Sequence, residues 1–336
     1  MDSNQVFKSK VVLITGGTGS FGKTFARRLL QEDQVQKVII FSRDELKQWE
    51  MKDSEEIFNH PKIRYFLGDV RDKERLIRSF SEVDYVVHAA ALKQVPAAEY
   101  NPTEFIKTNV QGAINVIDAA IAQGVEKVVA LSSDKAVNPV NLYGATKLCS
   151  DKLFVAAESY VGHRSYPTFS VVRYGNVVGS RGSVLPYWKK LIKNGAKTLP
   201  LTDPRMTRFW ITLDESVDLV FKALELSQGS EIFVPKIPSI KLTDLAEALL
   251  PGSTPEIIGI RPGEKLHELM ISSDDARHTL EFDDHFLIYP EKYSQDSKKL
   301  SRLSSGKALE EGFSYTSENN PEWLSTEELK SYLGAK

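Results

Sequence analysis

Tyr143 and Lys147 are the first residues with chemistry to offer. They stand four apart in Tyr143-Gly144-Ala145-Thr146-Lys147, a spacing that puts both side chains on one helix face. A lysine ammonium beside a phenol lowers the phenol pKa from its ordinary value of about 10. Tyr143 then becomes a base usable near neutral pH. By itself this spacing is common on protein surfaces. It gains weight from Ser132-Ser133-Asp134-Lys135, at the end of the apolar run Lys127–Leu131, and from a glycine-rich loop near the N-terminus. Asp134-Lys135 alone is also what a solvated loop would carry.

The loop is Thr15-Gly16-Gly17-Thr18-Gly19-Ser20-Phe21-Gly22. It follows an apolar run and opens a helical pattern, the context in which a phosphate-binding reading becomes specific. Gly16 suits the tight turn, Gly19 lets the backbone approach a pyrophosphate, and Gly22 lets the helix pack on the strand. Thr15, Thr18, Ser20 and Phe21 complete the loop and the helix start, whose free N–H groups favour phosphate. The second apolar run ends in Ser42-Arg43, with Asp44 displaced from the place where an acid would take a ribose 2′-hydroxyl. Arg43 and Lys47, one helical turn on, suit a 2′-phosphate instead, so NADP is the cofactor expected. Asp69, in Gly68-Asp69-Val70, is placed for the adenine amino group. Ala89-Ala90-Ala91 offers small residues along which a dinucleotide lies.

These residues sit at the ends of regularly alternating elements. Strand patterns at Val11–Thr15, Lys37–Phe41, Ile63–Leu67, Tyr85–His88, Lys127–Leu131 and Phe169–Arg173 alternate with helical patterns. The helices are Gly19–Gln31, Asp44–Met51, Asp72–Ser79, Pro102–Gln123 and Tyr143–Tyr160. The class is α/β: a Rossmann-type, doubly wound parallel sheet over residues 1–175, then a smaller, mainly substrate-binding lobe over 176–336. Helix Asp214–Leu226 is expected to return to the first domain. Leu242–Leu250 is a further helix, and the Lys/Ser-rich stretch Tyr293–Ala308 a surface excursion.

Composition removes several function classes. Hydrophobic residues make up 41% and charged residues 26%, and the net charge is −2. That is a soluble globular balance, without the basic excess of a nucleic-acid binder. The single cysteine, Cys149, excludes an internal disulfide and multi-cysteine zinc sites, and no HExxH spacing occurs. His267-Glu268 stands alone rather than as a ligand pair. No apolar run nears the ~18 residues of a membrane span, and Met1–Lys10 does not read as a signal peptide. A cytoplasmic protein with no metal site is expected.

Together, TGGTGSFG, SRDELKQ, HAAALKQVPAAEYNP, LSSDKAVNPVNLYGATK, RYGNVVGSRGSVLP, MTRFWIT and RPGEKLHE make the chain resemble the extended short-chain dehydrogenases/reductases. Within them it is most similar to the inverting UDP-N-acetylglucosamine 4,6-dehydratases, from the first strand to WLSTEEL near the C-terminus. That group commonly carries Thr-Asp-Lys where this chain has Ser133-Asp134-Lys135; serine keeps the hydroxyl. The resemblance implies Ser133, Asp134, Lys135, Tyr143 and Lys147 as the catalytic set around a catalytic NADP. Tyr143 takes the proton of the sugar 4-hydroxyl while C4 hydride leaves. A neutral Lys135 removes the C5 proton, and a protonated Asp134 donates to the departing 6-hydroxyl. Hydride returns to C6 and C5 is reprotonated on the opposite face. The net lyase reaction gives UDP-2-acetamido-2,6-dideoxy-β-L-arabino-hex-4-ulose, for pseudaminic acid or another bacterial surface glycan.

The resemblance also implies the substrate side. Lys93, Ser132 and Asn176 border the nicotinamide, and Lys93 and Asn176 reach the sugar. Arg181 and Arg261 suit the UDP diphosphate, since arginine binds phosphate in a bidentate fashion. Glu264 suits the uridine ribose, and Met206 and Arg208 complete the set. A UDP-sugar 4-epimerase or C5-retaining dehydratase of the same fold is the alternative that Asp134-Lys135 argues against. A non-catalytic NADP sensor or scaffold is the one that Tyr143 and Lys147 argue against. Ile114, Val116, Ile117 and Ile121 on one helix, and Leu148, Leu153, Phe154 and Val155 on another, spread beyond a single stripe and call for a second partner. The resemblance implies a dimer through these helices, and hexamers in its near relatives. The partners expected are the UDP-sugar and further copies of the chain, with neither nucleic acid nor membrane.

Overall fold

A computed structural model describes residues 6–32, 34–162, 166–180, 182–290 and 303–334. Six parallel strands form one side of its main sheet, out to the edge. They are β1 (Val11–Thr15), β2 (Lys37–Ser42), β3 (Ile63–Leu67), β4 (Tyr85–His88), β5 (Lys127–Ser133) and β6 (Thr168–Tyr174), in the order β3-β2-β1-β4-β5-β6. All five residues of β1 are buried, as strands covered on both faces must be. The covering helices include α1 (Ser20–Gln31), α2 (Glu45–Ser54), α3 (Lys73–Ser79), α4 (Gly112–Gln123) and α5 (Leu142–Ala157). Short polar caps start three of them. Asp44 accepts from the Lys47 N–H, Asp72 from the Arg75 N–H, and Asn141 from the Gly144 N–H, each satisfying a helix donor left open by the first turn.

Two helices differ from the sequence pattern. The stretch Pro102–Gln123 is interrupted by a π-helical turn, Ile106–Gln111, before α4 begins. Such turns gather at functional sites, and this one buries Thr108 and Asn109. The helix expected to reach Tyr160 ends at Ala157 and tightens into a 3-10 turn, Glu158–Tyr160.

The second half of the chain does not stay apart from the sheet. β7 (Ile232–Pro235) adds parallel to β6, and β8 (Thr279–Glu281), β9 (His285–Ile288) and β10 (Lys307–Ala308) extend it antiparallel, in the order β6-β7-β9-β8-β10. Among the described residues the sheet thus has ten strands. Of the stretch Tyr293–Ala308, residues 293–302 lie outside the described residues, and its end pairs as β10. Helix α6 (Leu213–Leu226) opens with a Thr212–Glu215 capping box and packs on α1, with Phe221 and Phe25 rings 5.1 Å apart. A separate apolar core gathers Leu185, Trp188, Leu199, Met206, Trp210 and Leu245. The smaller lobe is built around these residues, not from everything after residue 175. Among the described residues no helix is long and apolar enough to cross a membrane.

Candidate active site

A cleft of about 560 Å³ crosses the C-terminal ends of the parallel strands, where the strand order reverses between β1 and β4. Open α/β sheets bind their ligands at this point. Its floor is the glycine loop. Gly16 has φ +66°, and a Cβ there would lie 2.9 Å from the Ala90 backbone. A Cβ on Gly22 would lie 2.5 Å from Gly17. Larger residues would push the loop off the sheet. Gly19 is the N-cap of α1 and supplies no capping side chain, so the helix start offers N–H groups and its dipole to an anion. Ser20, Phe21 and Gly22 all line the cleft there, as Gly16, Thr18 and Gly19 do. The loop therefore fits a pyrophosphate. Thr15 lies behind it: its hydroxyl pairs with His88 Nδ1 at 2.8 Å and accepts from the Ala90 N–H at 3.3 Å.

Ser42, Arg43, Lys47, Asp69 and Val70 line one end of the cleft. Arg43 is half exposed, with Nη1 3.8 Å from Asp69. Lys47 pairs with Asp44 at 2.9 Å. Burial opposes the charge of Asp69, but Arg71 and Arg43 keep its carboxyl below the usual range. Ala89, Ala91, Lys93, Ser132 and Asn176 continue the wall toward the other end.

There the catalytic candidates converge. β5 runs into a 3-10 turn, Asp134–Ala136, and α5 packs so tightly on it that a Cβ on Gly144 would lie 2.2 Å from the Lys135 carbonyl oxygen. This contact sets Tyr143 beside the turn. Ser133 works against the upward shift of the Tyr143 phenol, and its Oγ donates to Asp134 Oδ1 at 2.8 Å. Lys135 Nζ lies 3.0 Å from the same oxygen and 3.4 Å from Asn176 Oδ1. Ser133, Lys135, Tyr143 and Lys147 line the cleft, whereas Asp134 is wholly buried behind them.

The electrostatics differ from the simple expectation. Burial pushes the Tyr143 phenol up to about 12, and the leading cation that works against this is Lys135. Lys147 Nζ donates to the Leu131 carbonyl at 2.7 Å; burial lowers its pKa, with Asp151 opposing. Burial also disfavours the Lys135 ammonium, but Asp134 and Glu268 overcome this and hold its pKa above the usual lysine range. A neutral Lys135 is therefore not the resting form. Burial pushes the Asp134 carboxyl up, with Lys135 and Ser133 opposing.

The structure leaves several expected residues outside the cleft. Met206 is buried in the smaller core. Arg208 is turned inward, donating to the carbonyls of Thr207, Leu266 and Lys265. Arg261 and Glu264 pair with each other in an exposed turn. That turn is tied to the start of α5, because Asn141 Nδ2 donates to the Gly263 carbonyl at 2.8 Å. Arg181 lies outside the described residues.

Other contributors carry little local signal. Asn109 bonds both the N–H and the carbonyl of Leu92 and donates to Thr146, tying the loop after β4 to α5. Asp151 accepts from Ser132 and lies 3.5 Å from Arg173 in a fully buried group. Glu268 reaches Lys135 from far along the chain. Only the helical spacing of Asp151 four residues after Lys147 was available to flag it.

The chain is similar to known proteins over most of its length. The family model described as "Polysaccharide biosynthesis protein" matches residues 12–290. A UDP-N-acetylglucosamine 4,6-dehydratase (inverting) from Campylobacter jejuni is 58% identical, over 96% of this chain and 97% of its own. A UDP-glucose 4-epimerase from Rickettsia canadensis is 41% identical, over 98% of this chain and 96% of its own. The X-ray structure of Pen from Bacillus thuringiensis superposes with a TM-score of 0.88 at 38% identity, covering 98% of this chain and 100% of that one. DesIV, a dTDP-glucose 4,6-dehydratase from Streptomyces venezuelae solved with NAD bound, has a TM-score of 0.68 at 25% identity, covering 76% of this chain and 86% of that one. The chain belongs to the polysaccharide biosynthesis protein family of extended short-chain dehydrogenases/reductases.

Proposed function

We propose that the protein is a C5-inverting UDP-N-acetylglucosamine 4,6-dehydratase, a lyase with a catalytic nicotinamide cofactor. The observation that carries this reading is Lys135. Its ammonium lines the cleft within 3.0 Å of the buried Asp134, on the turn that α5 packs against. A 4-epimerase removes no hydroxyl and needs no such acid–base pair beside Tyr143.

The glycine loop and the start of α1 would hold the pyrophosphate of a nicotinamide dinucleotide, with Lys147 and Asn176 lining the cleft toward its other end; such a cofactor would supply a hydride acceptor for C4 and a hydride donor for C6. Arg43 and Lys47 favour a 2′-phosphate, so the cofactor is NADP. Tyr143 accepts the 4-hydroxyl proton, with Ser133 and Lys135 favouring its phenolate against burial. The 4-ketone acidifies C5, and Lys135 removes that proton after passing its own to solvent through the cleft that it lines. Asp134, neutral in its buried place, supplies a proton for the departing 6-hydroxyl. Lys93 borders the sugar side. Arg261 and Glu264 take the UDP end if their turn swings with the Gly263–Asn141 contact. The enzyme works in the cytoplasm as a homodimer or larger, feeding a bacterial surface glycan.

Mass spectrometry of the product tests the reaction class. Incubation with UDP-N-acetylglucosamine should give a nucleotide sugar lighter by one water. A product of unchanged mass identifies an epimerase and removes the dehydratase reading.

A further inference from the structure

We propose that Glu268 is a positioning residue for Lys135, a buried carboxylate delivered from the C-terminal half of the chain that holds the Lys135 ammonium against Asp134. The inference rests on the dehydratase reading. Glu268 is 3% exposed, and its Oε1 lies 3.3 Å from Lys135 Nζ and 3.8 Å from Arg208 Nε. Its other oxygen, like Asp134 Oδ2, is buried without a hydrogen-bond partner. An ionised carboxylate at such a depth persists only beside cations.

The backbone around Glu268 is held on both sides. Its N–H donates to Ser317 Oγ at 2.9 Å, and the Ser317 N–H donates to the Glu268 carbonyl at 2.8 Å. Ser317 in turn meets Thr207 Oγ1 at 2.7 Å. The next residues, Leu269–Ile271, pair with Tyr315–Thr316 and pack against the Asp134–Ala136 turn. A surface glutamate needs no such scaffold. This one fixes a carboxylate at the back of the catalytic lysine.

The charged groups facing Lys135 can be named. Asp134 and Glu268 stand on the negative side; Arg208, Lys93 and Lys265 stand on the positive side, and Tyr143 is a neutral phenol. Lys265 donates to the Val137 carbonyl at 2.5 Å. The two carboxyls differ. Burial pushes Asp134 up. Burial works against the charge of Glu268 as well, but Lys135, Arg208 and Lys265 keep it below its usual range. Two carboxyls pushed apart in this way divide the roles of proton holder and charge holder. Glu268 carries the charge, and Asp134 is left free to hold the proton.

The test reads Lys135 directly. Acetic anhydride acetylates free amines, and peptide mass spectrometry of the full chain, without ligand, follows Lys135 labelling against pH. Losing an opposite charge within hydrogen-bonding reach should move the labelling midpoint down by about 1–3 pH units in Glu268→Gln. The rising limb of C5 deuterium exchange with UDP-N-acetylglucosamine should move with it, while bound cofactor is still reduced. Glu268→Asp keeps the charge but withdraws it, and should shift the midpoint the same way by less. An unmoved midpoint in both variants overturns the proposal. Equal loss of cofactor reduction and C5 exchange at an unmoved midpoint also overturns it, because that marks a merely structural role. If the wild type exchanges no C5 hydrogen, the dehydratase reading falls, and the labelling midpoints still decide whether Glu268 governs Lys135.

Discussion

Tyr143 and Lys135 line the same end of the cleft, yet the proposed reaction gives them separate steps, so their variants should fail differently. Tyr143→Phe removes the base for C4 oxidation. Bound cofactor should then show no dihydronicotinamide absorbance on adding substrate. Lys135→Ala leaves Tyr143 and Ser133 in place. It should still reduce a fraction of the cofactor while losing deuterium exchange at C5. Removing either base costs on the order of 10²–10⁴ in turnover, so turnover alone does not separate them; C5 exchange at the wild-type rate in Lys135→Ala would remove Lys135 from its role. Arg43 tests the cofactor half of the site. It is half exposed at the mouth of the cleft, and Arg43→Asp should weaken NADP(H) binding strongly while sparing NAD(H). Tighter binding of NAD(H) by the wild type, measured by calorimetry, would contradict the NADP assignment. Tyr143, Lys147 and the glycine loop were legible because their chemistry lies in local spacing. Glu268 and Asn109 were not, because each acts through a contact made only when distant segments fold together. The surroundings of Lys135 were half legible for the same reason: its sequence neighbours show Asp134 but not the second carboxylate.

His88 ends β4, and its burial gives that element a pH dependence. It sits wholly inside the protein, paired with Thr15 behind the glycine loop. Burial, with some help from Lys147, lowers its pKa from 6.5 to about 3. The unfolded chain therefore binds a proton between these values that the folded chain refuses. The stability from keeping His88 neutral is complete above pH 6.5 and drains away as pH falls toward about 3. Denaturant unfolding should show this as a loss of about 1.4 kcal/mol per pH unit from this one group. His88→Gln should flatten that slope. An unchanged slope would mean that His88 is protonated in the fold. The strands themselves were legible as continuous apolar runs, and β1, β3 and β4 have the bounds that the sequence suggests. The π-helical turn before α4 was not, since Ile106–Gln111 carries the same apolar spacing as its neighbours. Its displacement of Asn109 toward Leu92 is set by tertiary contact.

At the scale of the whole molecule, the apolar residues of α4 and α5 are only partly used within one chain. Val116, Ile117 and Phe154 are buried in the main core, but Ile114, Ile121, Leu148, Leu153 and Val155 remain half-covered. Helices with a second apolar flank are stabilised by a second partner, and the proposed partner is another copy. Light scattering at micromolar concentration should give at least a dimer; a monomeric mass would contradict this. The division of the chain was the least legible feature. A change of rhythm near residue 175 marks the end of the βα alternation, but β7 to β10 return to the same sheet. Short strands that complete a distant edge have no periodicity of their own to announce them. The central claim concerns what the whole molecule does to its substrate, and proton NMR of the product formed from UDP-N-acetylglucosamine in deuterated water tests it most directly. The account predicts a 4-keto-6-deoxy sugar with inverted configuration and deuterium at C5. A product that keeps its C5 configuration, or that retains its 6-hydroxyl with C5 unlabelled, would contradict it.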